Sequence, residues 1–276
     1  MTTIYDFLPH QLLSSIANRL ARTQKPFIKN PFIQWFSGHY GVDMTDAVIQ
    51  DPTEFACFHD FFTRELRPGA RPIVPGQRSI ASPADGVISA KGAIKKNTLL
   101  QAKGRYYSLR QLLTDESWAA QFEQGSFFTV YLSPKDYHRV HMPLAGSLLS
   151  MRYIPGRLFP VNAKSTRKVD QLFTRNERLV CYFQTEFGPM AVVFVGALLV
   201  GQMGTTWHGT VNARRENKIQ DWHYDGKRHF EKGDEIGHFS MGSTAIVLLP
   251  SANLQWGDES PTTVQMGQGV AEFLSG

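Results

Sequence analysis

Cysteine is scarce in this 276-residue chain: only Cys57 and Cys181 occur. Each stands in an apolar run with no CxxC or Cys/His spacing around it, which excludes a disulfide framework and a cysteine zinc site and points to a reducing compartment. Long hydrophobic runs are missing too. The longest nearly uncharged apolar stretch, Met190–Gly201, falls well short of the roughly 20 residues that a membrane-spanning helix needs. No basic region followed by an apolar one opens the chain, so no secretory signal is expected and the mature chain is read as beginning at Met1. Dense Lys/Arg tracts interleaved with aromatics are lacking, which argues against a nucleic-acid partner. Internal repeats and low-complexity segments are also absent.

The composition that remains is 42% hydrophobic and 12% aromatic, with 23 Gly and 15 Pro, as expected of a packed, turn-rich globule. A formal net charge of +5 favours anionic partners without separating anionic lipid from acidic small molecules. The N-terminal third reads helical. After Pro9, the residues Leu12, Leu13, Ile16 and Leu20 recur at helical spacing on one face. Arg19, Arg22, Lys25 and Lys29 follow, opposed within residues 1–40 by Asp6 alone, beside the apolar cluster Phe32, Ile33, Trp35 and Phe36. Cations next to aromatic wedges suit a helix lying in a membrane interface. Packing on the protein's own core or on a second subunit is the other reading of the same pattern.

A further helix is signposted by Asp51 as cap, Pro52 at the first helical position, Glu54 and the stripe Phe55, Phe58, Phe61 and Phe62, with Pro68-Gly69 ending it. From about Ile73 the pattern changes to short β-branched or aromatic runs between turn residues: Phe127–Leu132, Leu148–Ile154, Leu179–Phe183, Ala191–Val195 and Ala245–Leu249. One helix, around Leu109–Phe122, interrupts them. The predicted fold class is α+β: a helical segment over residues 1–66 on a β-rich, mainly antiparallel core over residues 67–276.

Three polar groups sit beside turn residues at the ends of apolar runs: Asp85 before Gly86, the pair His138 and His141, and Ser243 in Gly242-Ser243-Thr244. An acid, a histidine and a serine are the parts of a base-activated nucleophile. Each also has an ordinary reading. Asp-Gly is a common turn dipeptide, His-x-x-His on a strand sends its rings to opposite faces, and Gly-Ser-Thr is a common loop tripeptide. His208, His223, His229 and His238 match no metal-ligand template, so no metal is assigned.

The surrounding motifs are more specific. Phe61-Phe62-Thr63-Arg64-Glu65-Leu66-Arg67-Pro68-Gly69-Ala70-Arg71-Pro72, Ser82-Pro83-Ala84-Asp85-Gly86, Tyr131 to Pro143 with Tyr137-His138-Arg139-Val140-His141 inside it, Pro155 to Asn162, and Lys232 to Phe239 leading into Gly242-Ser243-Thr244 follow one another in order. In these the chain closely resembles the phosphatidylserine decarboxylases of the shorter bacterial type, over roughly Phe61 to Pro250. One departure is Met241, where the family often has Leu, an apolar swap of similar volume.

That resemblance implies a self-processing triad of Asp85, His141 and Ser243, with Gly242-Ser243 as the bond that breaks, giving a β chain of residues 1–242 and an α chain of 243–276. It implies that Ser243 becomes a covalent pyruvoyl group, which forms a Schiff base with the substrate amine and converts phosphatidylserine to phosphatidylethanolamine and CO2. His138 is expected to donate a proton or to contact the lipid phosphate in that second stage, which requires a loop or bulge if it is to share the cleft with His141. The implied partners are phosphatidylserine, an anionic membrane surface, the sister chain of the same precursor and a second copy in a homodimer. The implied place is the cytoplasmic side of the cell membrane, as a peripheral protein. Three other readings are weighed: a pyruvoyl decarboxylase of a soluble amino acid, a serine hydrolase built on Asp85, His141 and Ser243, and a carrier modified at Lys164. The hydrolase lacks a Gly-x-Ser-x-Gly elbow, and the carrier lacks the usual context around its lysine.

Overall fold

The computed structural model describes residues 19–197, 202–211, 216–240, 243–257 and 262–274. Leu12, Leu13 and Ile16 of the first helical pattern, and Met241 and Gly242 at the expected cleavage bond, lie outside them.

A nine-stranded antiparallel sheet is the centre of the protein. Its strands run in the spatial order Gln220–His223, Gly146–Ile154, Arg178–Thr185, Gly188–Val195, Ser243–Leu249, Ser126–Leu132, Gly86–Ala93 and Thr262–Val264, with His229–Phe230 also paired to Gly146–Ile154. The apolar runs read from the sequence are its inner strands. Successive side chains of a strand point to opposite faces, and here both faces are covered. Ala245, Val247 and Leu249 join one hydrophobic cluster with Val130, Leu132, Val192 and Phe194. Ile246 and Leu248 join another with Phe127, Val193 and Val195. Every residue of Ser243–Leu249 is therefore buried, which explains why its sequence lacks the polar-apolar alternation of a half-exposed strand.

Across the first face lies a four-stranded sheet in the order Gly209–Val211, Met203–Thr205, Glu235–Phe239 and Arg139–His141. Met203, Val140, Ile236 and Phe239 supply its contribution to the shared cluster. A three-stranded sheet of Ser79–Ala81, Gly269–Phe273 and Leu254–Trp256 and a hairpin of Thr98–Ala102 with Arg105–Ser108 complete the β structure. The fold is mixed α and β with antiparallel sheets, as expected, and no helix among the described residues is long and apolar enough to cross a membrane.

The helical layer has a third hydrophobic cluster of its own. The helix Pro26–Tyr40 starts with Pro at its first turn and stops at Gly41, whose φ of 65° is the left-handed cap that glycine takes without strain. Ile33 and Phe36 face inward onto Phe55, Phe58, Phe61 and Phe62, with Phe36 and Phe58 in edge contact at 4.9 Å between ring centres. Phe27 and Trp35 point to solvent, at 75% and 56% exposure. The aromatic cluster of the sequence thus divides: one half is core, the other a free apolar surface.

The expected single helix after Asp51 is two pieces. Asp51 caps a 3-10 turn, Pro52–Glu54, and the chain then extends through Phe55 before the helix Phe58–Phe62. At the break the buried Lys29 Nζ donates to the Thr53 carbonyl at 2.7 Å. The expected helix over Leu109–Phe122 is likewise two, Leu109–Leu113 and Glu116–Phe122. Thr114 turns left-handed between them, and the Asp115 side chain caps the second by accepting from the Ser117 and Trp118 amides.

Candidate active site

Two loops converge where the four-stranded sheet meets the central one. The 82–86 loop is tied down by Ser82, whose hydroxyl donates to the Ala84 carbonyl at 2.8 Å, and by the His141 amide, which donates to the Pro83 carbonyl at 2.8 Å. Gly86 is required there, since a Cβ would stand 2.3 Å from the Tyr131 carbonyl oxygen. The 231–235 loop is held by the Met142 amide on the Asp234 carbonyl and the Gly233 amide on the Met142 carbonyl, at 2.8 and 2.9 Å.

Asp85 is held by an arginine. Arg71 Nη2 donates to Oδ2 at 2.7 Å and Arg71 Nε to Oδ1 at 3.0 Å, while the Met266 amide donates to Oδ1 at 2.8 Å. The remaining amino group of Arg71 reaches Asp46 Oδ2 at 2.7 Å. A two-pronged charged pair of this kind, partly buried, is among the strongest polar contacts. It pushes the Arg71 guanidinium further above its ordinary range, chiefly through the Asp85 hydrogen bonds.

His141 is oriented by a backbone carbonyl. Its Nδ1 lies 2.7 Å from the Gly233 carbonyl oxygen, which can only accept, so Nδ1 carries the proton and Nε2 the lone pair. The Tyr137 hydroxyl, 3.0 Å from Nε2, donates into that lone pair. Asp85 makes no hydrogen bond to this ring among the described residues: Arg71 and Met266 occupy its carboxylate, and its influence on the ring is electrostatic. Burial pushes the imidazole below its ordinary value, against the upward pull of the Gly233 carbonyl, Glu235 and Asp85. His141 is thus a neutral base.

Ser243 begins the central strand and is registered against Leu132 on one neighbour, as Thr244 is against Val195 on the other. It shares the face of Ala245 and Val247, the side packed against the four-stranded sheet that carries His141. Its side chain is fully buried, and Oγ has no hydrogen-bond partner among the described residues. A buried hydroxyl left unpaired costs about 1–3 kcal/mol. Such an orphaned hydroxyl fits a residue whose hydroxyl is consumed, and a ketone at position 243 would lie in the same closed, apolar surroundings.

His138 precedes the short strand Arg139–His141 and is fully buried. Its Nε2 donates to the Ser133 carbonyl at 3.0 Å, and Phe62 stacks on the ring at 4.0 Å between centres. Burial, then the positive charge of Arg64, lower its pKa to about 3. His138 and His141 contact different neighbours, in keeping with their odd spacing. In this neutral form the only ring N–H of His138 is spent on Ser133, so it has no donor to offer a phosphate.

Several curated proteins that this chain resembles share one name. A chain described as phosphatidylserine decarboxylase proenzyme from Methylococcus capsulatus is 48% identical over 269 residues, 96% of this chain and 93% of that one. The proteins of the same name from Marinobacter nauticus and Azotobacter vinelandii are 47% and 46% identical, again over 96% of this chain and 94% and 95% of theirs. The family model for phosphatidylserine decarboxylase matches residues 58–272. This chain belongs to the phosphatidylserine decarboxylase family. A second model, described only as PSD, matches residues 2–41.

The span matched by the decarboxylase model begins at the first residue of the helix Phe58–Phe62 and includes each side chain of the site. Arg71, Tyr137, Gly233 and Met266 were not singled out from sequence, although the first three stand inside the quoted motifs. The remaining histidines lie elsewhere: His208 packs edge-on against Trp222, His229 Nδ1 meets Ser147 Oγ at 3.2 Å, His238 faces His59, and His223 is exposed on an outer strand. Among the described residues no group of three or more His, Cys, Asp or Glu is placed to hold a metal ion. Lys164 is in the short helix Ala163–Lys168 rather than at a hairpin tip, which removes the carrier reading.

Proposed function

We propose that this chain is a proenzyme that cleaves itself at Gly242-Ser243 and then decarboxylates phosphatidylserine to phosphatidylethanolamine. The observation that carries the reading is the buried Ser243 hydroxyl, without a partner among the described residues, on the sheet face that packs against a neutral His141, in a chain of this family. In the first stage His141 Nε2 takes the Ser243 proton, directly or through the Tyr137 hydroxyl bonded to it, and Oγ attacks the Gly242 carbonyl carbon. The Asp85 carboxylate favours the imidazolium that forms, by charge rather than by contact. The C–N bond breaks, the amine of residue 243 takes a proton, and the amide becomes an ester. Loss of the Cα proton then expels the Gly242 carboxylate by β-elimination, leaving dehydroalanine. Water adds, ammonia leaves, and residue 243 ends as a pyruvoyl group.

That group supplies the electrophilic carbonyl and electron sink that the twenty side chains lack. The chain's own residues hold its place. The α chain, 243–276, stays bound because its first strand is hydrogen-bonded between Ser126–Leu132 and Gly188–Val195, and the β chain, 1–242, provides both neighbours. Leu132, Val130 and Val140 keep bulk water from that end of the strand, and a drier site favours loss of a carboxylate's charge.

Lipid delivery rests on the helical layer. Phe27, Trp35 and Leu20 are exposed close in sequence to Arg22 and Lys25, apolar wedges with cations, as suits peripheral attachment to an anionic cytoplasmic membrane face. A homodimer is part of the same reading. The experiment is incubation of the purified, cleaved chain with phosphatidylserine vesicles and with free serine. Phosphatidylethanolamine and CO2 from the vesicles, with nothing from serine, support the assignment; ethanolamine from serine supports the soluble-substrate reading and contradicts this one.

A further inference from the structure

The first stage does not use His138, and two neighbours hold that ring in a way its sequence position does not require. Phe62, the last residue of its helix, lies nearly parallel to the imidazole, 4.0 Å between centres at 22°. Arg64, buried two residues later, donates through Nη2 to the carbonyls of Lys135 and Asp136 at 2.9 and 3.3 Å. The Asp136 carboxylate in turn accepts from the Ser133 amide and hydroxyl, both at 2.7 Å. That closes the turn whose Ser133 carbonyl accepts from His138 Nε2 at 3.0 Å. Arg139 Nε adds a bond to the Thr63 carbonyl at 2.9 Å. The Phe62-Thr63-Arg64 segment and the Ser133–Arg139 segment are thus interlocked, with the imidazole between them.

One consequence is a fixed tautomer. A carbonyl can only accept, so Nε2 carries the proton and Nδ1 a bare lone pair. Nδ1 is buried and has no partner among the described residues. An acceptor kept bare, in a ring clamped on one face and one edge, is placed for a hydrogen bond that none of the described residues makes. The guanidinium of Arg64 opposes protonation of the ring.

We infer that Phe62 and Arg64 are positioning residues for the decarboxylation stage, holding His138 as a neutral Nε2–H imidazole whose Nδ1 accepts a hydrogen bond from the bound substrate. This rests on the function proposed above.

The test has two arms. In the first, His138 of the full-length Ser243→Ala protein is followed by 15N imidazole shifts, which read the tautomer with no turnover needed. The expected result is Nε2–H, neutral at pH 7; an Nδ1–H ring or an imidazolium overturns the inference, whatever the substrate is. In the second, Phe62→Leu and Arg64→Gln are made in the wild-type chain. Both are expected to cleave fully, by intact mass, and to lose about tenfold to a hundredfold in kcat on phosphatidylserine vesicles, with KM within about twofold, as for a displaced catalytic group. Wild-type kcat in cleaved variants overturns it. Should either variant fail to fold, the tautomer measurement alone decides. Absence of phosphatidylethanolamine from the wild type counts against the functional reading instead.

Discussion

Arg71 grips Asp85 through two guanidinium nitrogens, at 2.7 and 3.0 Å, and reaches on to Asp46 with a third. Asp85 is thereby fixed by an arginine, and a glycine carbonyl orients His141. Removing Arg71 would strand a partly buried carboxylate. Arg71→Ala is expected to cost about 3 kcal/mol, read as a fall in thermal midpoint, and to slow self-cleavage. Arg71→Lys, which keeps the charge but loses the fork, should cost less stability. Equal stability and cleavage in wild type and Arg71→Ala would refute this role.

Acid should destabilise the fold through its buried histidines. His138 titrates near pH 3 and His238 near 4 in the folded chain, against an ordinary value of 6.5, and His141 is also lowered, burial being the main cause each time. Below pH 6.5 the unfolded chain binds protons that the folded chain refuses, so stability is full above 6.5 and falls as pH drops towards the folded values. At pH 5 each fully neutral histidine should cost about 2 kcal/mol. Urea unfolding at pH 7 and pH 5 measures it, and His238→Gln should lessen the difference. A stability that does not fall between those pH values would contradict the neutral assignment.

Self-cleavage should show the same sign at its own histidine. His141 must be neutral to act as a base, and its pKa is lowered, so the cleavage rate is expected to hold at pH 6.5 and to decline only at more acidic pH. A rate already halved at pH 6.5 would mean that the folded ring titrates normally.

Membrane attachment is best tested without cutting the chain. Ile33 and Phe36 pack on Phe58, Phe61 and Phe62, so deleting residues 1–40 would uncover core and confuse binding with folding. The double variant Phe27→Ser, Trp35→Ser removes two rings outside the buried cluster, Trp35 giving up its stacking on Phe32 and His39. It should float poorly with anionic vesicles while its thermal midpoint and self-cleavage stay at wild-type levels. Unchanged flotation would assign these rings another role.

The strands were legible because both-face burial makes a central strand a continuous apolar run, as in Ala245–Leu249. Helix continuity was not. After Glu54 the backbone turns extended at Phe55, and the Lys29 contact with the Thr53 carbonyl there comes from 24 residues away, outside any local capping signal. Among the site residues, Asp85, His138, His141 and Ser243 stood out by chemistry and motif. Their partners did not, because Gly233 is 92 residues from His141 and Met266 is 181 from Asp85, and both act through backbone atoms that every residue carries. Arg71 was visible as a motif letter, but only the folded chain brings it against Asp85.

Self-cleavage at Ser243 is the central claim, and intact mass under denaturing conditions tests it most directly, before and after treatment with hydroxylamine. The account predicts two chains, residues 1–242 and 243–276, the shorter with a blocked N-terminus whose mass shifts with the reagent, and a single uncleaved chain for Ser243→Ala. One stable full-length mass from the wild-type protein, or two fragments from Ser243→Ala, would contradict it.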